Sequence, residues 1–358
     1  MEFRDSRGEG VVLWEPLFCE SHRKWVTSRA LAVTEYAPDS AQAASLPVVR
    51  GSEWLLVVYF AFMAAIAPWF QARPSLGVKP LFQAIVVFGI IAAVAWLEPR
   101  IPGYTISWTR DWLPIAILLV AFRELDWFTP ATYPGHFEPD WLAWDHVVLT
   151  EQHLRATIES AGILVPSYLE LCYFLVYGVG VFGVAALWLT YHRERVNNFL
   201  LIYLSGTLLT YALIPFFPSL PPRFFAPQMD VPQVSSVFRD LNLWILGLGT
   251  IHAGVFPSAH VASAFSAAWG LLLTLPERRR YGWGMLVFAV SVSIATIYGR
   301  YHYAADAVAG FAVSLAALAG ITLLRRMDPR FRQGGWPAAD VQPPTPRDRT
   351  RTTLPKPA

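Results

Sequence analysis

Two short polar runs contain residues that could act on a phosphate ester. Residues 256–260 read Phe-Pro-Ser-Ala-His, and residues 299–306 read Gly-Arg-Tyr-His-Tyr-Ala-Ala-Asp. Each run begins a long apolar stretch rich in small residues, where an ionisable side chain is costly and suggests a function. Transfer of a phosphoryl group needs a nucleophile, an acid for the leaving oxygen and fixed positive charge around the phosphate. The two runs offer histidines, an arginine and an aspartate for these tasks.

His302 and His260 are the candidate reactive groups. Asp306 follows His302 by four residues. On one helix face, that spacing lets the carboxylate hold one imidazole nitrogen and leave the other free to attack phosphorus. His260 lies at the predicted beginning of another helix. These spacings predict that the two histidines and the aspartate form one catalytic group.

Three further residues could bind the phosphate. Arg300 precedes His302 by two residues, and Arg223 lies just beyond the fifth apolar span. Ser258 and Ala259 stand where a helix should begin, so their backbone N–H groups are predicted to be unpaired and to form an anion site. The predicted phosphate-binding residues are therefore Arg300, Arg223 and Ser258.

Each of these residues also has a structural interpretation. A lone histidine at the end of a membrane helix is usually an interfacial polar residue. Asp306 could pair with Arg300 as a structural lock, and Arg223 could anchor to lipid headgroups. The occurrence of all of them on one membrane face favours the catalytic interpretation.

Composition predicts the class of protein that positions these residues. Of 358 residues, 54% are hydrophobic and 15% are charged, and the mean hydropathy is +0.39. Several apolar runs approach the roughly 20 residues that cross a bilayer. We therefore predict an all-α integral membrane protein with about eight transmembrane helices. A net charge of +2 gives no argument for a nucleic-acid partner.

The predicted spans cover residues 52–69, 79–97, 106–122, 167–191, 198–217, 258–275, 283–298 and 303–324. The third span is the weakest, because its continuous apolar part covers only 112–122. It crosses the membrane if Arg110 and Asp111 pair or snorkel, and is otherwise re-entrant.

The remaining segments are polar. Residues 1–51 are predicted to be a cytoplasmic N-terminal tail, and 52–98 a transmembrane hairpin. Residues 125–166 are predicted to form an extracytoplasmic interfacial segment, since Trp141, Trp144 and Val148 have helical spacing. The histidines and aspartates of this segment match no metal-ligand spacing. Residues 333–358, rich in Pro, Arg and Thr, are predicted to be a disordered tail.

Arginine distribution predicts the orientation. Arginines occupy the loops after the fourth, sixth and eighth spans, at 193 and 195, at 278–280 and at 325–326. The positive-inside rule makes that side cytoplasmic. Both termini are then cytoplasmic, and the two polar runs face outward, into the periplasm if the membrane is a bacterial inner membrane.

The motifs resemble those of a known family. The run from Pro257 to His260 resembles the second signature of the type 2 phosphatidic acid phosphatase (PAP2) superfamily, and Arg300, His302 and Asp306 resemble the third. The first signature, a lysine followed by Arg-Pro, is absent, and residues 221–223 (Pro-Pro-Arg) stand in its place. The family's third-signature arginine usually lies six residues before the histidine, at Thr296 here. Both departures are similar to the inositolphosphotransferase branch, which includes fungal inositol phosphorylceramide synthase.

The resemblance implies a six-helix catalytic core of the PAP2 and haloperoxidase kind over residues 108–325. It implies that His302 is the nucleophile, that His260 protonates the leaving group and that Asp306 orients His302. Arg300, Arg223 and Ser258 would bind phosphate. It also implies that no metal or other cofactor is used.

The predicted function is that of an integral-membrane lipid phosphatase or phosphotransferase with an extracytoplasmic site and a phosphohistidine intermediate. Its substrate would be a phospholipid or a lipid phosphate ester. The alternatives are transfer of a polyol or inositol phosphate to a lipid acceptor, and two non-enzymatic roles, a membrane transporter or a scaffold.

Overall fold

The structure, a computed structural model, describes residues 49–70, 76–101, 104–129, 136–249, 251 and 253–327. The predicted N-terminal tail lies outside the described residues except for positions 49–51. The predicted disordered tail, 333–358, lies wholly outside them.

The described part of the chain is helical, as predicted. Its α-helices are α1 (Gly51–Ile66), α2 (Lys79–Leu97), α3 (Thr105–Phe128), α4 (Glu138–His146), α5 (Leu154–Glu159), α6 (Leu164–Leu175), α7 (Val179–Leu189), α8 (Val196–Leu213), α9 (Pro222–Phe225), α10 (Val237–Gly249), α11 (Ala259–Thr274), α12 (Arg279–Tyr298) and α13 (Ala304–Met327). A π-helical turn, Val147–Glu151, continues α4, and the 3-10 turn Val176–Gly178 joins α6 to α7.

Within the described ranges, seven helical segments are long and apolar enough to cross a membrane. They are Gly51–Phe70, Lys79–Leu97, Thr105–Phe128, Leu164–Leu189, Arg193–Phe216, Pro276–Tyr298 and Ala304–Met327. The other predicted span is α11, an apolar helix of 16 residues. It rises only about 24 Å, less than the roughly 30 Å of a hydrocarbon core. The chain is a multi-pass membrane protein whose central helix is shorter than each of the seven long apolar segments in the described ranges.

The weak third span is a full-length helix because its charges have partners. Arg110 is buried and donates hydrogen bonds to the carboxylates of Glu53 and Glu98. Asp111 accepts from Arg50 Nη1 at 2.7 Å and from Arg193 Nε at 2.5 Å. Removing one partner of such a buried pair costs about 3–5 kcal/mol. A continuous helix of 24 residues favours a full span over the re-entrant alternative, and the ion pairs fasten the N-terminal hairpin to the rest of the bundle.

Helix α11 forms the centre of the bundle. It packs against α8, α12 and α13, and most of its residues are buried. Close packing at its N-terminus depends on Gly310 of α13, where a Cβ atom would lie 2.4 Å from the Ser258 carbonyl oxygen. This approach places the beginning of α13 beside the beginning of α11. The ends of both helices that carry the polar runs therefore meet.

Helix α4 covers this junction. Trp141 stacks on Phe256 with ring centroids 4.9 Å apart, and it also contacts Tyr303. Glu138 accepts a hydrogen bond from the Leu220 backbone N–H at 2.8 Å. The segment predicted to be interfacial is helical as its spacing indicates, and it lies against both polar runs. Its position relative to a membrane surface stays a prediction.

Candidate active site

The bundle brings His260 and His302 into direct contact. His260 is the second residue of α11, and His302 lies in the turn between α12 and α13. His260 Nδ1 and His302 Nε2 are 3.1 Å apart. The two histidines that the sequence selected thus share one site, although 42 residues separate them.

Hydrogen bonds fix the tautomer of His302. Its Nδ1 lies 3.0 Å from the Val255 carbonyl oxygen and 3.2 Å from Asp306 Oδ2. Because a carbonyl can only accept, Nδ1 carries the proton and Nε2 keeps a free electron pair. Nε2 in turn accepts the Nδ1–H of His260. The arrangement predicted for His302 and Asp306 is present, with Val255 as a second anchor.

His302 is uncharged in the free protein. Burial, together with the positive charge of Arg223, lowers the pKa of His302 to about 3. Asp306 is also fully buried, and its Oδ2 accepts the Tyr303 backbone N–H at 3.0 Å. A neutral imidazole with one nitrogen anchored can act as a nucleophile without first losing a proton.

Ser258 is the N-cap of α11. Its Oγ accepts from the Val261 N–H at 3.4 Å, and its own N–H donates to the Asp306 carbonyl at 3.0 Å. The prediction that the Ser258 N–H is unpaired is therefore wrong, because α13 supplies an acceptor. The backbone N–H groups of Ala259 and His260 have no hydrogen-bond partner among the described residues. These two amides form the anion-binding end of α11.

Arg223 is the cation whose positive charge influences both histidines. It lies in α9, partly buried, with its guanidinium 4.7 Å from the Phe224 ring centroid. It makes no ion pair with any described carboxylate. Burial lowers the pKa of Arg223. A partly buried cation without a counter-ion near two imidazoles favours the binding of an anion there.

Arg300 contacts the covering helix instead of Asp306. Its Nη1 donates to Asp145 Oδ2 at 2.7 Å, and Asp145 Oδ1 accepts the Ala304 N–H at 2.8 Å. Arg300 therefore does not form the structural ion pair with Asp306 that the sequence allows. It pairs with Asp145 of α4 instead. Nε and Nη2 of Arg300 are buried and have no hydrogen-bond partner in the described part of the chain, so two donor nitrogens of this guanidinium stay available. Burial raises the pKa of Asp145 to about 6.

Sequence reasoning missed Asp145 and the aromatic walls of the site. Asp145 stood among several polar residues of its segment, and nothing in its spacing marks a partner 155 residues away. Tyr173 and Tyr177 flank the His260 ring at centroid distances of 5.0 and 5.3 Å. Both lie in an apolar run, where tyrosines are typical of ordinary helix packing.

Within the described residues, no three histidine, cysteine, aspartate or glutamate side chains are grouped as metal ligands would be. His146 contacts Asp230 at 3.1 Å, and Thr150 donates to the same carboxylate. These contacts join the covering segment to the loop before α10.

Comparison with known proteins defines the class. The sequence profile of the PAP2 superfamily matches residues 141–320, half of the chain. The matched region begins in α4 and includes every residue of the site described above. The chain belongs to the PAP2 superfamily.

The chain is also similar to a PA-phosphatase related-family protein of Dictyostelium discoideum, with 26% identity over 141 residues. That region is 35% of this chain and 23% of the relative, so the match spans about a quarter of the relative's length. No solved structure matches the chain significantly. The similarity to the inositolphosphotransferase branch stays a prediction, because these matches do not extend to it.

Proposed function

We propose that this protein is a membrane lipid phosphatase or phosphotransferase that works through a phosphohistidine on His302. The observation that carries the proposal is the histidine pair, in which an anchored, neutral His302 directs its free Nε2 toward His260. Superfamily membership supports the same chemistry.

The first step forms the covalent intermediate. The phosphate of the substrate displaces the hydrogen bond between the histidines and accepts bonds from Arg223 and from the Ala259 and His260 amides. His302 Nε2 attacks phosphorus, and the bond between phosphorus and the leaving oxygen breaks. The negative charge of the bound phosphate lets His260 take up a second proton from water, and His260 donates that proton to the leaving oxygen.

The second step regenerates the enzyme. The attacking hydroxyl gives its proton to the now neutral His260 as its oxygen displaces Nε2 from phosphorus. Water yields inorganic phosphate, whereas an alcohol or polyol yields a new phosphate ester. Both outcomes use the same residues, so the acceptor that reaches the site decides between phosphatase and transferase.

A substrate panel tests the function. Purified protein is incubated with labelled phospholipids and lipid phosphates, with and without alcohol or inositol acceptors. Release of free phosphate identifies a phosphatase, and a labelled ester of the acceptor identifies a transferase. Absence of both products across the panel would contradict the proposal and favour the transporter or scaffold alternatives.

Activity is predicted to be independent of metal ions. Arginine and helix N-terminal amides supply the positive potential that a metal would otherwise provide. Turnover should therefore be unchanged after incubation with excess chelator. Loss of activity that a divalent ion restores would contradict this prediction.

The site is proposed to face away from the cytoplasm, with both termini cytoplasmic. With Cys19 and Cys172 replaced by serine, Arg279→Cys should react with a membrane-impermeant maleimide only after permeabilisation. Ser235→Cys, in the loop before α10, should react in intact cells. Both positions are exposed, so accessibility within the fold does not differ. Labelling of Arg279→Cys in intact cells would reverse the orientation.

Helix α4 is proposed to guide lipid to the site. Trp144 is 62% exposed and forms one wall of an apolar groove with Val308 and Ala312 of α13, whereas Trp141 is packed on Phe256. Trp144→Ala should raise KM for a long-chain lipid phosphate severalfold and leave a short soluble ester unaffected. Trp141→Ala should impair both substrates, because it loosens the loop that carries Val255. Equal effects of Trp144→Ala on both substrates would assign it a folding role.

A further inference from the structure

His260 is supported differently from His302. His302 is held at Nδ1 by a carbonyl and a carboxylate, but the imidazole of His260 makes one hydrogen bond within the described structure, to His302 Nε2. That nitrogen is where phosphorus must bind. Once phosphate occupies the site, His260 loses this bond and needs another means of keeping its orientation.

Aromatic packing is the remaining support. The Tyr173 ring lies 5.0 Å from the His260 ring at an angle of 36°, and the Tyr177 ring lies 5.3 Å away at 89°. Tyr177 is 45% exposed, whereas Tyr173 is 1% exposed. Of the two rings that contact His260, that of Tyr173 is therefore the one held in a fixed position.

Tyr173 is itself fixed by a stack and a buried carboxylate. Its ring lies 3.8 Å from that of Tyr301 at 15°, which is close parallel stacking. The Tyr301 hydroxyl donates to Glu170 Oε2 at 2.6 Å. Glu170, 2% exposed, also accepts from Arg239 at 2.9 Å and from Asn242 at 2.8 Å. Charge-assisted hydrogen bonds of this kind hold geometry tightly.

We propose that Tyr173 is a positioning residue that keeps His260 aligned for proton transfer after phosphate has displaced the histidine–histidine hydrogen bond. Tyr301, anchored by Glu170, holds Tyr173 against His260. This inference rests on the proposed function, because it assigns His260 the role of proton donor. It requires the ring of Tyr173 and not its hydroxyl.

Leaving-group dependence separates positioning from folding. A misaligned proton donor slows expulsion of a poor leaving group, such as an alkoxide, and hardly affects a good one. Tyr173→Leu should lower the rate of phosphoenzyme formation from dodecyl phosphate by about tenfold or more, up to the 10²–10⁴ that a general acid contributes. It should lower the rate of phosphoenzyme formation from para-nitrophenyl phosphate less than threefold. The conservative Tyr173→Phe should restore most of the dodecyl phosphate turnover.

Tyr203→Leu is the matched control. Tyr203 is a buried tyrosine stacked on Phe199, and no ring contact joins it to His260. Its loss should lower both activities in equal proportion, if at all. A double-mutant cycle adds a second criterion, because Tyr173→Leu should have little selective effect once His260 is alanine. Equal losses on both substrates for Tyr173→Leu, or an undiminished loss in the His260→Ala background, would overturn the proposal.

A measurement without turnover completes the test. In ¹⁵N-histidine-labelled protein with saturating inorganic phosphate, the wild type and Tyr173→Phe should show one sharp set of ring-nitrogen signals for His260, and Tyr173→Leu should show broadened signals. Identical His260 signals in the Leu and Phe variants would overturn the positioning role. If the wild type hydrolyses neither substrate but the His260 signal still depends on the Tyr173 ring, the proposed function fails and the positioning role stands.

Discussion

His302→Ala should abolish turnover of every phosphate ester and leave no phosphoenzyme to trap. The substitution removes Nε2, the atom that forms the bond to phosphorus, and neither Arg223 nor the α11 amides can replace a nucleophile. The loss should not depend on the leaving group, since the covalent step fails for lipid and aryl substrates alike. The measurement is incubation with ³²P-labelled substrate, followed by an alkaline quench in which a phosphohistidine survives.

The matched control is His192→Ala. His192 lies in the turn before α8, at the opposite end of that helix from the site, and its Nδ1 contacts the Thr190 hydroxyl at 3.3 Å. This variant should keep wild-type turnover and labelling. A labelled protein in the His302→Ala variant, or turnover within a few-fold of wild type, would show that phosphorus is attached elsewhere.

The helices could be predicted because their signals are local. Runs of apolar residues bounded by arginines or prolines determine where a membrane helix begins and ends, and the observed helices follow them. Helix α3 was ambiguous for a physical reason. Arg110 and Asp111 are tolerable within it only because Glu53, Glu98, Arg50 and Arg193 reach them from other helices. Such partners cannot be read from a window of sequence.

Contacts within the site could likewise be predicted only where the two residues are close in sequence. His302 and Asp306 are four residues apart, so a single helical turn determines their contact. The pairing of Arg300 with Asp145 spans 155 residues and depends on how α4 folds over the bundle. The unpaired N–H groups at the beginning of α11 start one residue later than predicted. Gly310 lets α13 approach Ser258 closely enough to supply an acceptor for the Ser258 N–H. Long-range packing therefore decides which of the predicted donors stay available.

His260→Ala should have the second-largest effect, and it should depend on the substrate. A general acid contributes on the order of 10²–10⁴ to a step with a poor leaving group, about 3–5 kcal/mol of barrier. The alkoxide of a lipid has a pKa well above neutrality and needs the proton from His260. The nitrophenolate of an aryl phosphate leaves without it. Lipid turnover should therefore fall by that factor, while phosphoenzyme formation from para-nitrophenyl phosphate is largely retained.

The two histidine variants together assign the roles. His260→Ala keeps His302 anchored to Val255 and Asp306, so the nucleophile stays in place and can still be labelled by the aryl ester. The second step is affected as well, because His260 accepts the proton of the incoming hydroxyl. Phosphoenzyme should therefore accumulate in this variant above its wild-type level. If His260→Ala abolished labelling while His302→Ala retained it, the roles would be exchanged, and His260 would be the residue that attacks phosphorus.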